Sequence, residues 1–245
     1  MGINRHVSEH VAEVVIDVPP VNALPAASWF ELAELVRGSG TDQEVRAVVV
    51  RAEGKGFCAG VDIKELQADP KAIVAVNRGC AEAFAAVYEC AVPVVVAVHG
   101  FCLGGGVGLA GNADVVVAST DAEFGLPEVA RGALGAATHL SRLVPQHRMR
   151  AMFYTGERAT ADELHRYGSV LRVVEPGELQ KAAREVADAI AAQPPAVVRL
   201  AKEALNGIDP VDVRRSYRFE QGFTFEAAVG GEGAEARQRF LDERS

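Results

Sequence analysis

Two stretches of this 245-residue chain carry residues suited to holding a developing negative charge. One reads G-F-C-L-G-G-G-V-G from Gly100 to Gly108, directly after the apolar run Val94–Val98. The other reads G-K-G-F-C-A-G-V-D-I-K from Gly54 to Lys64, after the apolar run Ala47–Arg51. Consecutive glycines leaving a buried strand let bare backbone approach a ligand closely. The residues that follow the second run of glycines (Val107, Leu109, Ala110) read as the start of a helix, whose first N–H groups attract a negative or polarised oxygen. Two strand-to-loop junctions that aim amides at one point form an oxyanion hole, which holds a carbonyl oxygen as it gains charge.

Other reactive residue types are sparse. Cys58, Cys80, Cys90 and Cys102 show no C-x-x-C spacing, so they read as small core residues. Cys58 and Cys102 sit in the two glycine loops and are expected to be neighbours, filling tight space, with no base beside them in sequence. Neither a dinucleotide fingerprint nor a metal-ligand spacing occurs, so no metal and no separate cofactor are expected. The net charge of −8 and pI near 5.3 argue against nucleic acid and against an anionic membrane surface as partners. The N-terminal M-G-I-N-R-H has no apolar core, and the longest apolar runs fall far short of the ~20 residues of a membrane helix. A soluble, cytoplasmic protein is the expectation.

The elements that must position these loops follow from periodicity. Hydrophobic residues make up 49% of the chain and aromatics only 6%, which suits a sheet covered by helices on both faces. Strands are expected at Val11–Val18, Ala47–Arg51, Val94–Val98, Val115–Ala118 and Leu171–Val174. Helical spacing marks Ala26–Arg37, ended by Gly38, and Lys71–Glu89, with Ile73, Val76, Cys80, Phe84 and Val87 on one face. Beyond residue 120 the pattern turns helical: Ala136–Leu143, Gln146–Thr155, a capping box opening at Thr160, Leu179–Ala192 and Ala196–Asn206. The last stretch, Val211 to Arg244, is amphipathic and carries Tyr217, Phe219, Phe223, Phe225 and Phe240, so it must cover something. Alternating strands and helices imply parallel pairing and an α/β fold.

With both loops placed, the chain resembles the crotonase (enoyl-CoA hydratase/isomerase) superfamily over nearly its whole length. The resemblance rests on K-G-F-C-A-G-V-D-I-K-E-L, on V-P-V-V-V-A-V-H-G-F-C-L-G-G-G-V-G-L-A-G-N-A-D, and on A-E-F-G-L-P-E-V, in that order. It implies a spiral of ββα turns over residues 1–192 holding an acyl-CoA site. Residues 193–245 would form a helical region for oligomerisation, as a trimer or a dimer of trimers, that also covers the pocket. Coenzyme A would enter only as part of the substrate. Carried over residue by residue, the oxyanion amides fall on Val61 and Gly105, and the CoA-lining positions on Ala59, Val61, Asp62, Ile63 and Lys64. Lys64 is the expected phosphate partner. Phe240 and Arg244 match an element that closes over the adenine end, and Asp114 an acidic position that caps a strand start.

The departure from the family pattern narrows the chemistry. Hydratases of this family use two glutamates; the second is present as Glu128, whereas the first aligns with Gly108. Syn-hydration, which holds water between two carboxylates, is therefore not expected. One carboxylate suffices to shuttle a proton or to activate one water. In an apolar pocket the pKa of Glu128 would rise toward that of a general base. Four further phrases, V-N-A-L-P…W-F-E-L, A-V-Y-E-C-A-V-P, R-G-A-L-G-A-A-T-H-L-S-R-L-V-P-Q-H and S-Y-R-F-E-Q-G-F-T-F-E, resemble the crotonase-fold hydrolases of actinobacterial steroid breakdown. These open a ring of a CoA-linked bicyclic ketone. On that resemblance Glu128 is the catalytic acid–base, and His139 is either its helper or a packed, hydrogen-bonded side chain. Arg131 either pairs with Glu128, meets the acyl group or is a surface residue; His147 reads as a surface position, and neither it nor His99 is assigned a role. The alternatives are an enoyl-CoA isomerase or hydratase-type activity, and a non-catalytic scaffold.

Overall fold

Valine-rich segments that are apolar at every position require helices on both faces of their sheet. The computed structural model of the chain, which describes residues 2–229 and 231–242, has that arrangement. The chain enters through β1 (Gly2–Ser8) and β2 (Val11–Asp17), an antiparallel pair joined at Glu9 and His10. From β2 on, the pattern is a long strand, a short strand and then helix. The first turn is β2, β3 (Ala23–Leu24) and α1 (Ala26–Thr41). The second is β4 (Ala47–Ala52), β5 (Gly60–Val61), then α2 (Ile63–Ala68) and α3 (Ile73–Tyr88). The third is β6 (Val94–Val98), β7 (Phe101–Leu103) and α4 (Gly105–Asn112).

A fourth turn opens with β8 (Val115–Ser119) and β9 (Glu123–Gly125). It continues through α5 (Ala137–Leu140), α6 (Gln146–Thr155), β10 (Arg158–Thr160), α7 (Ala161–Tyr167) and β11 (Arg172–Val174). Helices α8 (Leu179–Ala191), α9 (Pro195–Gly207), α10 (Val213–Val229) and α11 (Gly231–Asp242) follow. The long strands form one sheet in the order β1-β2-β4-β6-β8-β11, parallel from β2 onward. The short strands form two small sheets, β3-β5 and β10-β9-β7. This is an α/β spiral of ββα turns.

Strand alternation divides the core. Val48, Val50, Val94 and Val96 face Trp29, Leu32, Phe84 and Leu109 in the larger cluster. Val49, Val95, Ala97 and Val117 face Leu179, Ala183, Val186 and Ala187 of α8 on the other side. Tyr217 of α10 joins the larger cluster, so the C-terminal helices pack on the spiral. Asp114 does cap a strand start: its Oδ2 accepts from Val94 N at 2.8 Å. The side chain also receives Lys202 Nζ of α9 at 2.7 and 2.8 Å.

Several boundaries differ from those the sequence predicts. Helix α1 does not stop at Gly38 but runs to Thr41, because Ser39 and Gly40 are buried, and Gly40 backs onto Cys90. The region after residue 120 contains strands β9 and β10, each three residues long and too short to display alternation. Strand β1 escapes the pattern because only Ile3 of it is buried. Helix α5 is shorter than the segment 136–143. Among the described residues, no helix is long and apolar enough to cross a membrane.

Candidate active site

The two glycine loops lie side by side. Cys58 and Cys102 bridge as parallel neighbours, with Leu103 N donating to Cys58 O at 2.8 Å and Cys58 N to Phe101 O at 3.3 Å. Burial pushes the Cys58 thiol up to about 12 and raises that of Cys102 as well, so both are protonated space-fillers. At Gly60 (φ 94°) a Cβ would lie 3.2 Å from both Gly105 N and Leu103 O, so the loops approach with only backbone between them. Asp62 N donates to Leu24 O at 3.0 Å. Successive strand N–H groups point to opposite edges, so the Val61 N–H leaves β5 on the edge away from β3. Gly105 is the first residue of α4, where the N–H has no acceptor within the helix.

Glu128 stands beside these loops. It leaves β9 through Leu126 and Pro127, and its carbonyl accepts from Arg131 N and Ala133 N at 2.9 Å each, which fixes the turn. A Cβ at Gly104 would collide with Glu128 Oε1, so that glycine (φ 55°) is what gives the carboxyl room. Glu128 Oε2 is buried without a hydrogen-bond partner. Burial drives the carboxyl up to about 8, opposed by a backbone hydrogen bond and by the Arg131 charge, and reinforced by the Glu220 charge. Ala59, Val61, Ile63, Gly105 and Glu128 line one cavity, which Leu66, Val76, Phe84, Leu134 and Tyr217 make largely apolar.

The other expected site residues are placed differently. Asp62 caps α2, accepting from Lys64 N at 2.9 Å, and the Lys64 side chain is exposed; neither lines the cavity. His139 is fully buried and lies outside the cavity lining, with Phe84 and Tyr217 against its ring at centroid distances of 4.8 and 4.6 Å. Its Nδ1 accepts from Asn112 Nδ2 at 2.8 Å, which places the proton on Nε2. Burial lowers its pKa to about 3, with the Arg142 charge adding to the effect. The structure therefore does not bring His139 and Glu128 together. Arg131 lines the cavity and lies over the Phe240 ring, 4.3 Å from its centroid. Arg244 lies outside the described residues. His99 bonds to Gly54 O at 3.0 Å, and His147 is exposed.

Three further residues shape the site, to none of which the sequence assigned a role in it. Glu220 on α10 accepts from Ala137 N, Thr138 N and Thr138 Oγ1 at 2.7, 3.1 and 2.9 Å, fixing the start of α5. Tyr217, one turn earlier on α10, separates His139 from the cavity. Asn77 lines the cavity from α3. Its signal is a polar residue inside the stripe Ile73, Val76, Cys80, Phe84, at a spacing that faces inward.

With this geometry in place, comparison with known proteins is direct. The enoyl-CoA hydratase/isomerase family model matches residues 6–244. A Rhodococcus jostii protein named (7aS)-7a-methyl-1,5-dioxo-2,3,5,6,7,7a-hexahydro-1H-indene-carboxyl-CoA hydrolase is 59% identical over 99% of this chain and 95% of its own. A Mycobacterium tuberculosis protein of the same name is 57% identical over 94% of each chain. Among solved structures, an enoyl-CoA hydratase/isomerase from Xanthobacter autotrophicus superposes with a TM-score of 0.89 at 27% identity, over 99% of this chain and 92% of its own. The chain belongs to the enoyl-CoA hydratase/isomerase family, the crotonase fold that its two glycine loops announced.

Proposed function

We propose that this chain is an enzyme that hydrolyses a ring carbon–carbon bond of a bicyclic keto CoA thioester, the compound class in the names of its Rhodococcus and Mycobacterium relatives. One observation carries the reading: a single buried carboxyl, Glu128, stands beside the backbone of Val61 and Gly105, and the ring of Phe84, not a second carboxylate, fills the space against Gly108. Glu128 takes a proton from water as that water adds to a ring ketone. The bond between the ketone carbon and its ring neighbour then breaks, leaving a carboxylic acid. Its electrons move to the thioester, whose enolate oxygen rests on the amides of Val61 and Gly105, and Glu128 returns the proton to carbon. Those amides hold charge that develops only along the reaction, which is where binding accelerates chemistry. No separate cofactor takes part.

Ala59 and the run Val61–Lys64 take the CoA moiety in this reading, with exposed Lys64 meeting a phosphate. Phe219 and Phe223 of α10, Val197, Leu200 and Leu205 of α9, and Ile208 just after it, are exposed apolar side chains. They support assembly into a trimer or a dimer of trimers through the C-terminal helices. Four free cysteines suit a reducing, cytoplasmic compartment.

Mass spectrometry of the product tests the reaction. Ring hydrolysis adds the mass of water to the bicyclic thioester, whereas isomerisation, the other chemistry open to one carboxylate, leaves mass unchanged. Crotonyl-CoA is the control, because simple hydration also adds water; no turnover of it is expected. Glu128→Gln should lose turnover by orders of magnitude and still bind the CoA ester.

A further inference from the structure

Hydrolysis of a ring ketone builds negative charge at two places in turn, and the amides of Val61 and Gly105 can serve only one of them. When water adds, the new bond to the ketone carbon pushes the carbonyl electron pair onto the ketone oxygen. When the ring bond breaks, that carbonyl re-forms and the electron pair travels to the thioester. The first charge needs a donor of its own, already aimed.

The cavity lining contains one candidate. Among the described residues, the buried side-chain N and O atoms without a hydrogen-bond partner are Asn77 Nδ2, Asn112 Oδ1, Glu128 Oε2 and His139 Nε2. Only Asn77 and Glu128 belong to residues that line the cavity. A buried N–H with no acceptor is costly and rare, and asks for a partner that arrives with a ligand. Asn77 shares its face of α3 with Ile73, Val76, Cys80 and Phe84, whose side chains offer no carbonyl or carboxylate to satisfy it. Its backbone is held in place: Gln221 Nε2 of α10 donates to Asn77 O at 2.7 Å, and Gln221 Oε1 accepts from Arg218 Nη1 at 2.6 Å. Asn77 also borders the groove between α3 and α10, but the residue is only 8% exposed and its Nδ2 is buried.

We infer that Asn77 is a catalytic donor, whose side-chain amide binds the oxygen of the ring ketone that water attacks and holds it as the alkoxide forms. This second oxyanion site rests on the ring-hydrolysis reading and adds its substrate requirement: an acyl group whose ring ketone, β to the thioester carbonyl, faces α3. Glu128 keeps its proton-transfer role, and the enolate charge stays with Val61 and Gly105. Atoms balance without any further reactant, since water supplies the hydroxyl of the new acid and the one proton that Glu128 carries to the α-carbon.

The experiment compares the wild-type enzyme with Asn77→Leu, which keeps the size of the side chain, and with Asn77→Asp, in two assays. Ring opening is followed by product mass. Deuterium uptake from heavy water is followed at the carbon α to the thioester of the ring-opened product; this reverses the last step and needs only Glu128 and the two loop amides. In both variants kcat for ring opening should fall on the order of 100-fold, with little change in KM, the loss typical of one oxyanion donor. Deuterium uptake should stay near the wild-type rate, which also shows that the variants fold. A parallel fall in both assays assigns Asn77 a structural role and overturns the inference, as does unchanged ring opening. Wild-type enzyme that exchanges deuterium but opens no ring overturns the hydrolase reading itself, and the inference with it.

Discussion

The ring of Phe84 lies so close to Gly108 that a Cβ at residue 108 would stand 2.5 Å from Phe84 Cε1. On the resemblance, hydratases carry a glutamate at this position; here the Phe84 ring of α3 takes up the space beside it. The ring cannot swing clear, because Trp29 packs edge-on at 5.7 Å and His139 and Tyr217 lie against it at 4.8 and 5.2 Å between centroids. Gly108→Ala should therefore destabilise the fold by overpacking, by about 1–3 kcal/mol in urea denaturation. Gly108→Glu should acquire no hydration of crotonyl-CoA unless Phe84 is shortened too. Hydratase activity in the single variant would show that Phe84 does not hold this place.

The buried carboxyl of Glu128 sets the pH dependence. As a general base it works ionised, and with its pKa raised to about 8 the free enzyme's kcat/KM should climb through that pH and then level off. Stability runs the other way. A carboxyl whose pKa is raised on folding favours the folded state below its unfolded value of 4.5, and that contribution is lost as pH rises toward 8. Glu128→Gln removes the loss. Above pH 9 it should be more stable than wild type by up to roughly 5 kcal/mol, at 1.36 kcal/mol for each pH unit between the two values. Equal denaturation midpoints for the two proteins at pH 9 would mean that the carboxyl is solvated.

How far the sequence could be read depends on the range of the interactions involved. The strands at Val48–Val50 and Val94–Val96 are legible because every residue is apolar, and the two loops because glycine runs have few other uses. Glu128 is legible through its position in L-P-E-V. The three-residue strands β9 and β10 are not, since their pairing partners lie about one turn of the spiral away and nothing local records it. His139 shows the limit for the site: a histidine in a familiar phrase reads either as a catalyst or as a packed side chain. Its burial behind Phe84 and Tyr217, however, depends on α10, some 80 residues further along. Asn77 is the converse, a polar residue hidden in an apolar stripe that only the cavity makes conspicuous.

His139 should appear in stability, not in the rate profile. Its pKa falls from 6.5 to about 3 on folding, so the unfolded chain takes up a proton that the folded one refuses. The contribution is full above pH 6.5 and is lost as pH falls toward 3. Between pH 7 and pH 5 this group alone should remove about 2 kcal/mol of stability. In His139→Gln that share of the acid sensitivity should vanish, while kcat/KM keeps its climb through pH 8. If the climb moves in this variant, His139 is coupled to Glu128 after all.

The ion pair between Lys202 and Asp114 ties α9 to the start of β6, and its two partners are unequally buried. The Lys202 side chain is 3% exposed and that of Asp114 22%. Asp114 also keeps the Val94 N–H when the lysine is gone. Lys202 depends on Asp114 for its salt bridge, and the Tyr88 ring lies 5.8 Å from its ammonium to the centroid. Removing the acid therefore strands a buried ammonium, whereas removing the lysine leaves a carboxylate with a donor and some water. Asp114→Asn should cost about 3 kcal/mol or more, and Lys202→Met distinctly less, since its chain still packs under α9. Urea denaturation of the two variants settles the order. A larger loss in Lys202→Met would mean that the carboxylate, not the ammonium, is the partner that cannot stand alone.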